Sequence, residues 1–400
     1  MTPTQRTLLW AYAALIAIWP IRHVALTLIF RTLNFLTPAS PKFADASPPL
    51  VSAIIPAKDE QEALPICLAS VCAQRYPNLE ILVVDDRSTD GTAAIARAFA
   101  DADPRVRMIS IADLPAGWTG KTHALHVAAG EARGEWLWFL DADTRQAPDC
   151  LSIVLEHARV QGAAMVSLLP EMRCETFWEE VVQPLASIVL LQSFPLFLVH
   201  RANSPRAFAN GQFILIGREA LAASGGHAAV RDRFVEDIYL ARNVKAAGLA
   251  IRVAMGKAIS STRMYTSLPQ IVRGWARILY DALARRPLPL LGKALDPLAF
   301  SQSAHLALIA SLVMLALGTP AGPFPAWLLA MSLVHHVLAA TVLYRLYRQT
   351  ISRPGRAILW YPLAGLVIDV ILYRAIQSCL TGRVTWRGTD YGTPPPSTVP

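Results

Sequence analysis

The sequence predicts an α/β domain with a mostly parallel β-sheet, flanked at both ends of the chain by helices that cross a membrane. Two observations give this fold class. Between residues 50 and 260, short apolar runs of strand length alternate with stretches of helical spacing. Over the whole chain, 54% of residues are hydrophobic and only 16% are charged, whereas soluble domains carry about 25% charged residues. The excess of apolar residues lies toward the two ends of the chain.

The first apolar segment, residues 8–30, is long enough to cross about 30 Å of hydrocarbon. Pro20, Arg22 and His23 interrupt it. No small-residue cleavage site follows, so we expect a retained anchor rather than a cleaved signal peptide.

The α/β region begins with an apolar strand that ends at Pro56 and continues into a charged loop up to Glu60. Helical spacing of apolar residues follows over 61–76. A second buried strand then runs into Asp85 and Asp86, before a polar turn and another helix.

A third strand, 106–111, leads into a glycine-containing loop and an amphipathic helix within 114–134. The fourth strand, 136–140, ends at Asp141 and Asp143. Two carboxylates this close repel each other and resist desolvation unless a cation or hydrogen bonds compensate. A bound divalent metal ion would explain why a buried strand leads into them.

Three acidic pairs therefore occur in the α/β region. In an open parallel sheet, ligands bind beyond the carboxyl ends of the strands, where two of these pairs lie. Each pair alone also has a purely structural interpretation. The first could cap the turn before the helix that follows it, the second could cap the next helix, and the third could be a solvated first helical turn. The pairs are Asp85 with Asp86, Asp141 with Asp143, and Glu236 with Asp237.

The motifs SAIIPAKDE, ILVVDDRSTDGT, GKTHAL, WFLDADT and FVEDIYL occur in this order. Together they resemble the family 2 glycosyltransferases of the GT-A fold, over residues 50–290. The phrase LPAGWTGKTHALH and the apolar ends are most similar to the hopene-associated and carotenoid-type membrane glycosyltransferases. The resemblance implies an inverting transfer of a sugar from a nucleotide-sugar donor, such as a UDP-sugar, to a lipid acceptor such as a hopanoid or carotenoid.

The resemblance also implies roles for single residues. Asp237 would be the base that takes the proton of the acceptor hydroxyl, with Glu236 beside it. Asp141 and Asp143 would hold Mg²⁺ or Mn²⁺, which favour carboxylate oxygens, at the donor diphosphate. The nucleotide sugar would be bound by Pro56, Glu60, Asp85, Asp86, Lys121 and Asp141.

Family members use a Gln-x-x-Arg-Trp motif for the acceptor and the diphosphate. This chain reads QIVRGW, with Gln270, Arg273 and Trp275 but an extra glycine before the tryptophan. The alternative for residues 270–290 is an amphipathic helix at the membrane interface. We make the same interpretation for 181–199, which is apolar but broken by two prolines.

Three more apolar segments follow at 302–319, 326–344 and 357–377. Four arginines between 345 and 356 predict that the connection between the last two stays in the cytoplasm, which also places the α/β domain there. The net charge of +8 is explained by arginines that face anionic lipid. No basic stripe interleaved with aromatic residues indicates a nucleic-acid partner.

We therefore predict an integral membrane protein of the inner or plasma membrane. Three alternatives stay open: a processive polysaccharide synthase, a polyprenyl-phosphate glycosyltransferase, and a non-catalytic membrane scaffold with a nucleotide-binding domain. The expected domains are an anchor and linker (1–49), a GT-A domain with interfacial helices (50–290), three transmembrane helices (291–380) and a disordered tail (381–400).

Overall fold

The structure, a computed structural model, describes residues 1–386 and 389–392. These residues fall into two compact units. The sheet unit comprises Leu33–Arg173 and Phe194–Met264. The helical unit comprises Met1–Thr32, Cys174–Ser193 and the chain from Tyr265 onward.

The main sheet of the sheet unit has the strand order β1-β10-β7-β9-β5-β2-β3-β4 in the described part of the chain. Strand β9 runs antiparallel to both of its neighbours, and the other pairs are parallel. A small sheet has the order β6-β11-β8. The strands are β1 Asn34–Phe35, β2 Val51–Ala57, β3 Leu79–Asp86, β4 Val106–Ile111, β5 Trp136–Leu140, β6 Thr144–Gln146, β7 Met165–Leu169, β8 Glu171–Met172, β9 Phe213–Gly217, β10 Ile251–Met255 and β11 Ser260–Thr262.

Strand β3 is buried along its whole length, and β5 is buried at all but its first residue. Continuous apolar runs of this kind belong to sheets that are covered on both faces. The helices of the sheet unit provide that cover. They are Leu64–Cys72, Thr92–Ala102, Gly120–Glu131, Cys150–Val160, Leu196–Val199, Arg218–Ala223 and Glu236–Ala246, with a 3₁₀ turn at His227–Val230.

The strand register brings the carboxyl ends of β2, β3 and β5 to one edge of the sheet. In β2, Pro56 lies opposite Val84 of β3, and Ala57 lies opposite Asp85. On the other side of β2, Ile54 lies opposite Phe139. The acidic residues at the ends of β3 and β5 therefore share one edge, as the parallel arrangement predicts.

The helical unit has four stretches of helix that are long and apolar enough to cross a membrane, among the residues described. These are Pro3–Phe30, Pro287–Ala316, Phe324–Thr350 and Tyr361–Thr381. They correspond to the four apolar segments predicted from the sequence. An α/β domain with apolar helices at both ends of the chain confirms the predicted fold class.

The helices of this unit differ in detail from those four stretches. The first stretch has a break at Ala17, and the second contains a π-helical turn. The individual helices are Pro3–Ile16, Ile18–Phe30, Phe177–Leu191, Leu268–Ala282, Pro287–Pro297, Ser303–Ala316, Phe324–Thr350, Pro354–Leu359 and Tyr361–Thr381, with the π-turn at Leu298–Gln302.

The polar residues that interrupt the first apolar segment have partners on other helices of the helical unit. The guanidinium of Arg22 lies 2.6 Å from Asp296 Oδ1. The ring of His23 lies 3.0 Å from the hydroxyl of Thr341. Because these groups are paired inside the unit, they are compatible with a helix in an apolar environment.

Two helices that the sequence analysis places in the 50–290 domain belong to the helical unit instead. They are Phe177–Leu191 and Leu268–Ala282. Pro184 lies inside the first of these helices and does not end it. The segment 181–199 is thus not one interfacial helix, since its last residues, Leu196–Val199, form a short helix of the sheet unit.

The described part of the tail predicted to be disordered contains two strands. Strands β12, Arg383–Trp386, and β13, Thr389–Gly392, pair in antiparallel fashion. This pairing differs from the disorder expected for residues 383–386 and 389–392. The prediction for 387–388 and 393–400 lies outside the described residues.

Candidate active site

The loop after β2 is held against the loop after β3 by hydrogen bonds. The amide of Asp59 donates to the hydroxyl of Ser88 over 3.1 Å, and the amide of Thr89 donates to Asp59 Oδ1 over 2.7 Å. The amide of Glu60 donates to the hydroxyl of Thr92 over 2.8 Å. These bonds hold the loop with Glu60, which is predicted to bind the nucleotide, beside the loop that follows Asp85 and Asp86.

Asp85 and Asp86 are the last residues of β3, and both are buried. Asp85 Oδ1 accepts a hydrogen bond from the amide of Ser88 over 3.3 Å, and Asp86 Oδ1 pairs with Nε of Arg87 over 2.7 Å. The helix that follows begins after Gly91 without a side-chain cap. Asp85 thus caps the turn before this helix, as its structural interpretation predicts, although neither aspartate caps the helix itself.

Asp86 lies at the N-terminus of the helix Gly120–Glu131. A Cβ atom at Gly120 would collide with Asp86 Oδ2. Only glycine permits this approach, and the positive end of the helix dipole favours a carboxylate there. Asp86 therefore lies against Gly120, which directly precedes Lys121 in the sequence.

Asp141 and Asp143 lie on a tight turn between β5 and β6. The carbonyl of Asp141 accepts hydrogen bonds from the amide of Thr144 over 3.2 Å and from its hydroxyl over 2.8 Å. The carbonyl of Asp143 accepts from the amide of Arg263, and its Oδ1 accepts from the hydroxyl of Thr262 over 3.3 Å. Because β6 separates this turn from the next helix, neither aspartate caps that helix.

Lys121 joins two of the predicted acidic pairs. Its Nζ atom lies 2.7 Å from Asp141 Oδ1 and 2.8 Å from Glu236 Oε1. Burial by itself lowers the pKa of this amine, but the negative charges of Asp141, Glu236 and Asp237 outweigh that effect and raise the pKa above its ordinary value. Lys121 is therefore a permanent cation between residues from distant parts of the sequence.

Asp237 follows Glu236 in the first turn of the helix Glu236–Ala246. Its Oδ2 accepts from the amide of Gly211 over 2.6 Å and its Oδ1 from the amide of Ile238 over 2.8 Å. Burial and the adjacent Glu236 raise the pKa of Asp237 to about 7, although Lys121 and the backbone donors lower it. A carboxyl group with this pKa exchanges its proton near neutral pH, as a general base requires.

Glu236 is 4% exposed and Asp237 is partly exposed, so only Asp237 of the third acidic pair reaches solvent. Gly211, just before β9, closes the cluster from another side. A Cβ atom at Gly211 would lie 3.1 Å from Lys121 Nζ, 3.2 Å from Asp237 Oδ2 and 3.3 Å from Glu236 Oε1. A side chain at this position would therefore press on all three polar groups.

One cavity is lined by Lys121, Asp141, Gly211, Glu236 and Asp237, together with apolar side chains from β5, β9 and two helices. The fold thus brings together five residues that lie on four separate segments of the sequence. Asp143 lies two residues from Asp141 on the same turn but is not in the cavity lining.

The cavity lining includes His227, which the sequence analysis did not single out. Its ring is 2% exposed and packs edge-on against Phe139, with 4.7 Å between ring centroids. Burial and the charge of Lys121 lower the pKa of His227 to about 3, so the ring is neutral. The sequence signal for this position is the preceding Gly225 and Gly226, which adopt positive φ angles of 77° and 58°.

Gln270, Arg273 and Trp275 lie on the helix Leu268–Ala282 of the helical unit. Gln270 and Arg273 are exposed, whereas Trp275 is buried. Gln270 Oε1 accepts a hydrogen bond from the amide of Thr266 over 3.1 Å. Gln270 and Arg273, three residues apart, lie on the exposed face of the helix, and Trp275 lies on its buried face. Their role in diphosphate or acceptor binding stays a prediction.

The described residues contain no group of three or more His, Cys, Asp or Glu side chains placed to hold a metal ion. Asp141 and Asp143 alone provide two carboxylates on one turn. Mg²⁺ in nucleotide enzymes is usually held by one or two carboxylates together with substrate phosphates and waters. The donor set therefore fits an ion that arrives with a diphosphate, and it does not fit a closed metal site made by protein alone.

The comparison with known sequences gives one family and several relatives. The family described as "Glycosyl transferase family 2" matches residues 52–225. A 4,4'-diaponeurosporenoate glycosyltransferase of Staphylococcus aureus (strain MRSA252) is 27% identical over 232 residues, which are 56% of this chain and 60% of the relative. The chain therefore spans less than two thirds of that relative's length.

A comparison with solved structures supports the fold. The mannosyltransferase PcManGT from Pyrobaculum calidifontis, solved in complex with GDP-Man and Mn²⁺, aligns with a TM-score of 0.51 at 19% identity. The alignment covers 94% of this chain and 99% of that one. The two chains thus share a fold. Together with the family match, this confirms the resemblance drawn from the sequence.

Proposed function

We propose that this chain, which carries a family 2 glycosyltransferase domain over residues 52–225, is a membrane-bound inverting glycosyltransferase that moves a sugar from a nucleotide-sugar donor to a lipid. The observation that carries the proposal is the contact of Lys121 with both Asp141 and Glu236, beside Asp237, in one cavity. The cavity combines a carboxyl group whose pKa lies near 7 with a fixed cation and with Asp141, which is predicted to bind the metal ion.

Asp237 is the base of the proposed reaction. Its carboxylate takes the proton from the acceptor hydroxyl while the acceptor oxygen forms a bond to the anomeric carbon of the sugar. The bond from that carbon to the nucleoside diphosphate breaks, and the diphosphate leaves with the bonding electron pair. Each carboxylate oxygen accepts one backbone hydrogen bond and keeps a second lone pair for the incoming proton.

The donor is a nucleotide sugar, for which we favour a UDP-sugar. We assign Lys121 to the diphosphate, because its amine lines the cavity beside Asp141, the proposed metal ligand. Asp141 and Asp143 would hold Mg²⁺ or Mn²⁺, which neutralises the charge that develops on the leaving diphosphate. Asp85 and Asp86 at the end of β3, with Pro56 and Glu60, would contact the nucleoside.

The acceptor is a lipid, and the protein is integral to the membrane. The four apolar helical stretches support membrane insertion. The arginines between residues 345 and 356 support a cytoplasmic position for the sheet unit, where nucleotide sugars are available. A relative named as a 4,4'-diaponeurosporenoate glycosyltransferase supports a long-chain, carotenoid-like lipid as the acceptor.

The test is sugar transfer by the purified full-length protein in lipid nanodiscs. Radiolabelled UDP-sugars, a lipid extract and Mn²⁺ should give a lipid-soluble labelled product, and mass spectrometry of lipids from cells with and without the gene should find the same product. EDTA should stop the transfer, and Mn²⁺ or Mg²⁺ should restore it. If the radiolabel stays entirely in the water-soluble fraction with every donor and lipid, the proposal of a lipid acceptor is wrong. Full activity in EDTA would show that the mechanism does not use a metal ion.

A further inference from the structure

Three polar aromatic side chains meet among the apolar helices of the helical unit. They are His305, His336 and Tyr361, which we call the His–Tyr cluster. The ring centroids of the two histidines lie 4.5 Å apart, and that of Tyr361 lies 5.0 Å from His305 and 6.2 Å from His336. Polar groups inside membrane helices are costly and are usually kept for a function.

The backbone fixes the proton position on both histidines. Nδ1 of His305 lies 2.8 Å from the carbonyl of Ser301, and Nδ1 of His336 lies 2.7 Å from the carbonyl of Ser332. A carbonyl only accepts hydrogen bonds, so each Nδ1 carries the donating hydrogen. In a neutral imidazole, Nε2 then presents a lone pair and acts as an acceptor.

Two polar atoms of the cluster are buried without a partner among the described residues. They are Nε2 of His336 and the hydroxyl oxygen of Tyr361. The neighbouring His335 is different, since its Nδ1 lies 3.1 Å from the hydroxyl of Tyr12 and its Nε2 lies 3.1 Å from the carbonyl of Phe300. Both ring nitrogens of His335 therefore have hydrogen-bond partners, whereas His336 has a partner among the described residues at Nδ1 alone.

Two members of the cluster lie at the surface of the helices, and the third begins its helix. His305 and His336 are partly exposed, and the residues that follow them, Leu306 and Val337, are 66% and 62% exposed. In a bilayer these exposed apolar side chains face lipid. Tyr361 is the first residue of its helix, directly after the arginine-rich segment that we place in the cytoplasm.

We propose that the His–Tyr cluster binds the hydroxyl group of a membrane lipid, and that this lipid is the acceptor class of the proposed transfer. The oxygen of a lipid hydroxyl can accept a hydrogen bond from the O–H of Tyr361. The same hydroxyl can donate its hydrogen bond to Nε2 of His336. A carboxylate can do only the first, because it has no hydrogen to donate to the imidazole. A hydrocarbon can do neither.

Only the identification of this lipid with the acceptor rests on the proposed function. The test therefore measures lipid binding without a sugar donor. Full-length protein in nanodiscs is titrated with tritiated geranylgeraniol, with the matching C20 carboxylic acid and with the matching C20 hydrocarbon. Tyr361→Phe removes a hydroxyl that no described residue binds, so the fold should be kept. Its matched control is Tyr373→Phe on the same helix, where the tyrosine is 60% exposed.

We expect Tyr361→Phe to weaken alcohol binding about fivefold, as the loss of one hydrogen bond would do. His336→Phe should weaken it at least as much, and Tyr373→Phe should leave it unchanged. Equal alcohol affinity in Tyr361→Phe and the parent overturns the proposal, and so does tighter binding of the acid than of the alcohol. If binding follows the expectation but no donor supports transfer, the cluster stands and the proposed function fails.

Discussion

At the scale of single residues, the candidate site depends on Lys121. Its amine contacts Asp141 and Glu236. Each of these residues belongs to a different acidic pair, and the two pairs lie far apart in the sequence. Like charges gathered in one cavity would repel each other, and a central cation offsets that repulsion. The result is a site in which Asp237 keeps a pKa of about 7 rather than a still higher one.

Asp237→Asn tests the base directly. The amide keeps the shape of the side chain but cannot take a proton from the acceptor, so we expect turnover to fall about 10²–10⁴-fold. Affinity for UDP, measured by calorimetry on the same preparation, should stay the same, since donor binding is assigned to Asp86, Asp141 and Lys121. Near-parental turnover would show that Asp237 is only a residue of the first helical turn.

The pH dependence of turnover is a second prediction. Burial and the charge of Glu236 raise the pKa of Asp237 to about 7, and only the ionised form accepts a proton. Below pH 7 we therefore expect kcat/KM to fall about tenfold per pH unit. In Glu236→Gln one of the two causes of the raised pKa is removed, and the rising limb should shift to lower pH. An unshifted limb in that variant would assign the titration to another group.

At the scale of structural elements, the site is assembled by turns at the ends of strands. The turn before β9 places Gly211 against the amine and both carboxylates of the cluster. The turn between β5 and β6 holds Asp141 through the bonds of Thr144. Strands fix the two turns, and the turns fix the distances between the reacting groups, which is the arrangement that transfer chemistry needs.

Gly211→Ala tests the role of the turn before β9. The new Cβ atom would lie within 3.3 Å of Lys121 Nζ, Asp237 Oδ2 and Glu236 Oε1, so these polar groups must move apart. We expect turnover to fall by about 10–100-fold, since small displacements at a reacting centre are costly.

Expression and thermal stability of Gly211→Ala should remain close to the parent. The matched control is Gly130→Ala in the helix Gly120–Glu131, because a Cβ atom there meets nothing within 4 Å. Equal turnover in both variants and the parent would show that the close approach at Gly211 does not position the cluster.

At the scale of the whole molecule, the chain joins a sheet unit with chemically active groups to a helical unit of apolar helices. The two units alternate along the sequence, since the chain passes from one to the other more than once. The functional proposal requires both units: one for the donor and one for the lipid.

The orientation of the helical unit in the membrane is the prediction that belongs to this scale. The arginines near residue 352 should keep that connection in the cytoplasm. A membrane-impermeant maleimide added to intact cells should therefore miss a cysteine at Ser352→Cys and label one at Ala321→Cys in the uncharged connection. The parent protein, with its native cysteines, gives the background. The reverse labelling pattern would place the sheet unit outside the cell.

The sequence by itself determined the properties that depend on neighbouring residues. The alternation of strands and helices, the acidic residues at the ends of β3 and β5, and the four apolar stretches all follow from local periodicity and hydropathy. Ordered motifs then indicated the family. These features are readable because each is complete within a few tens of consecutive residues.

Only the tertiary structure decided which distant residues meet. Lys121, Gly211 and His227 enter one cavity because β9 inserts antiparallel between β5 and β7, and no local pattern specifies that insertion. The same holds for the helices Phe177–Leu191 and Leu268–Ala282, whose apolar faces could pack on a membrane or on other helices. Their sequence fixes an amphipathic face, but which surface covers that face depends on the path of the rest of the chain.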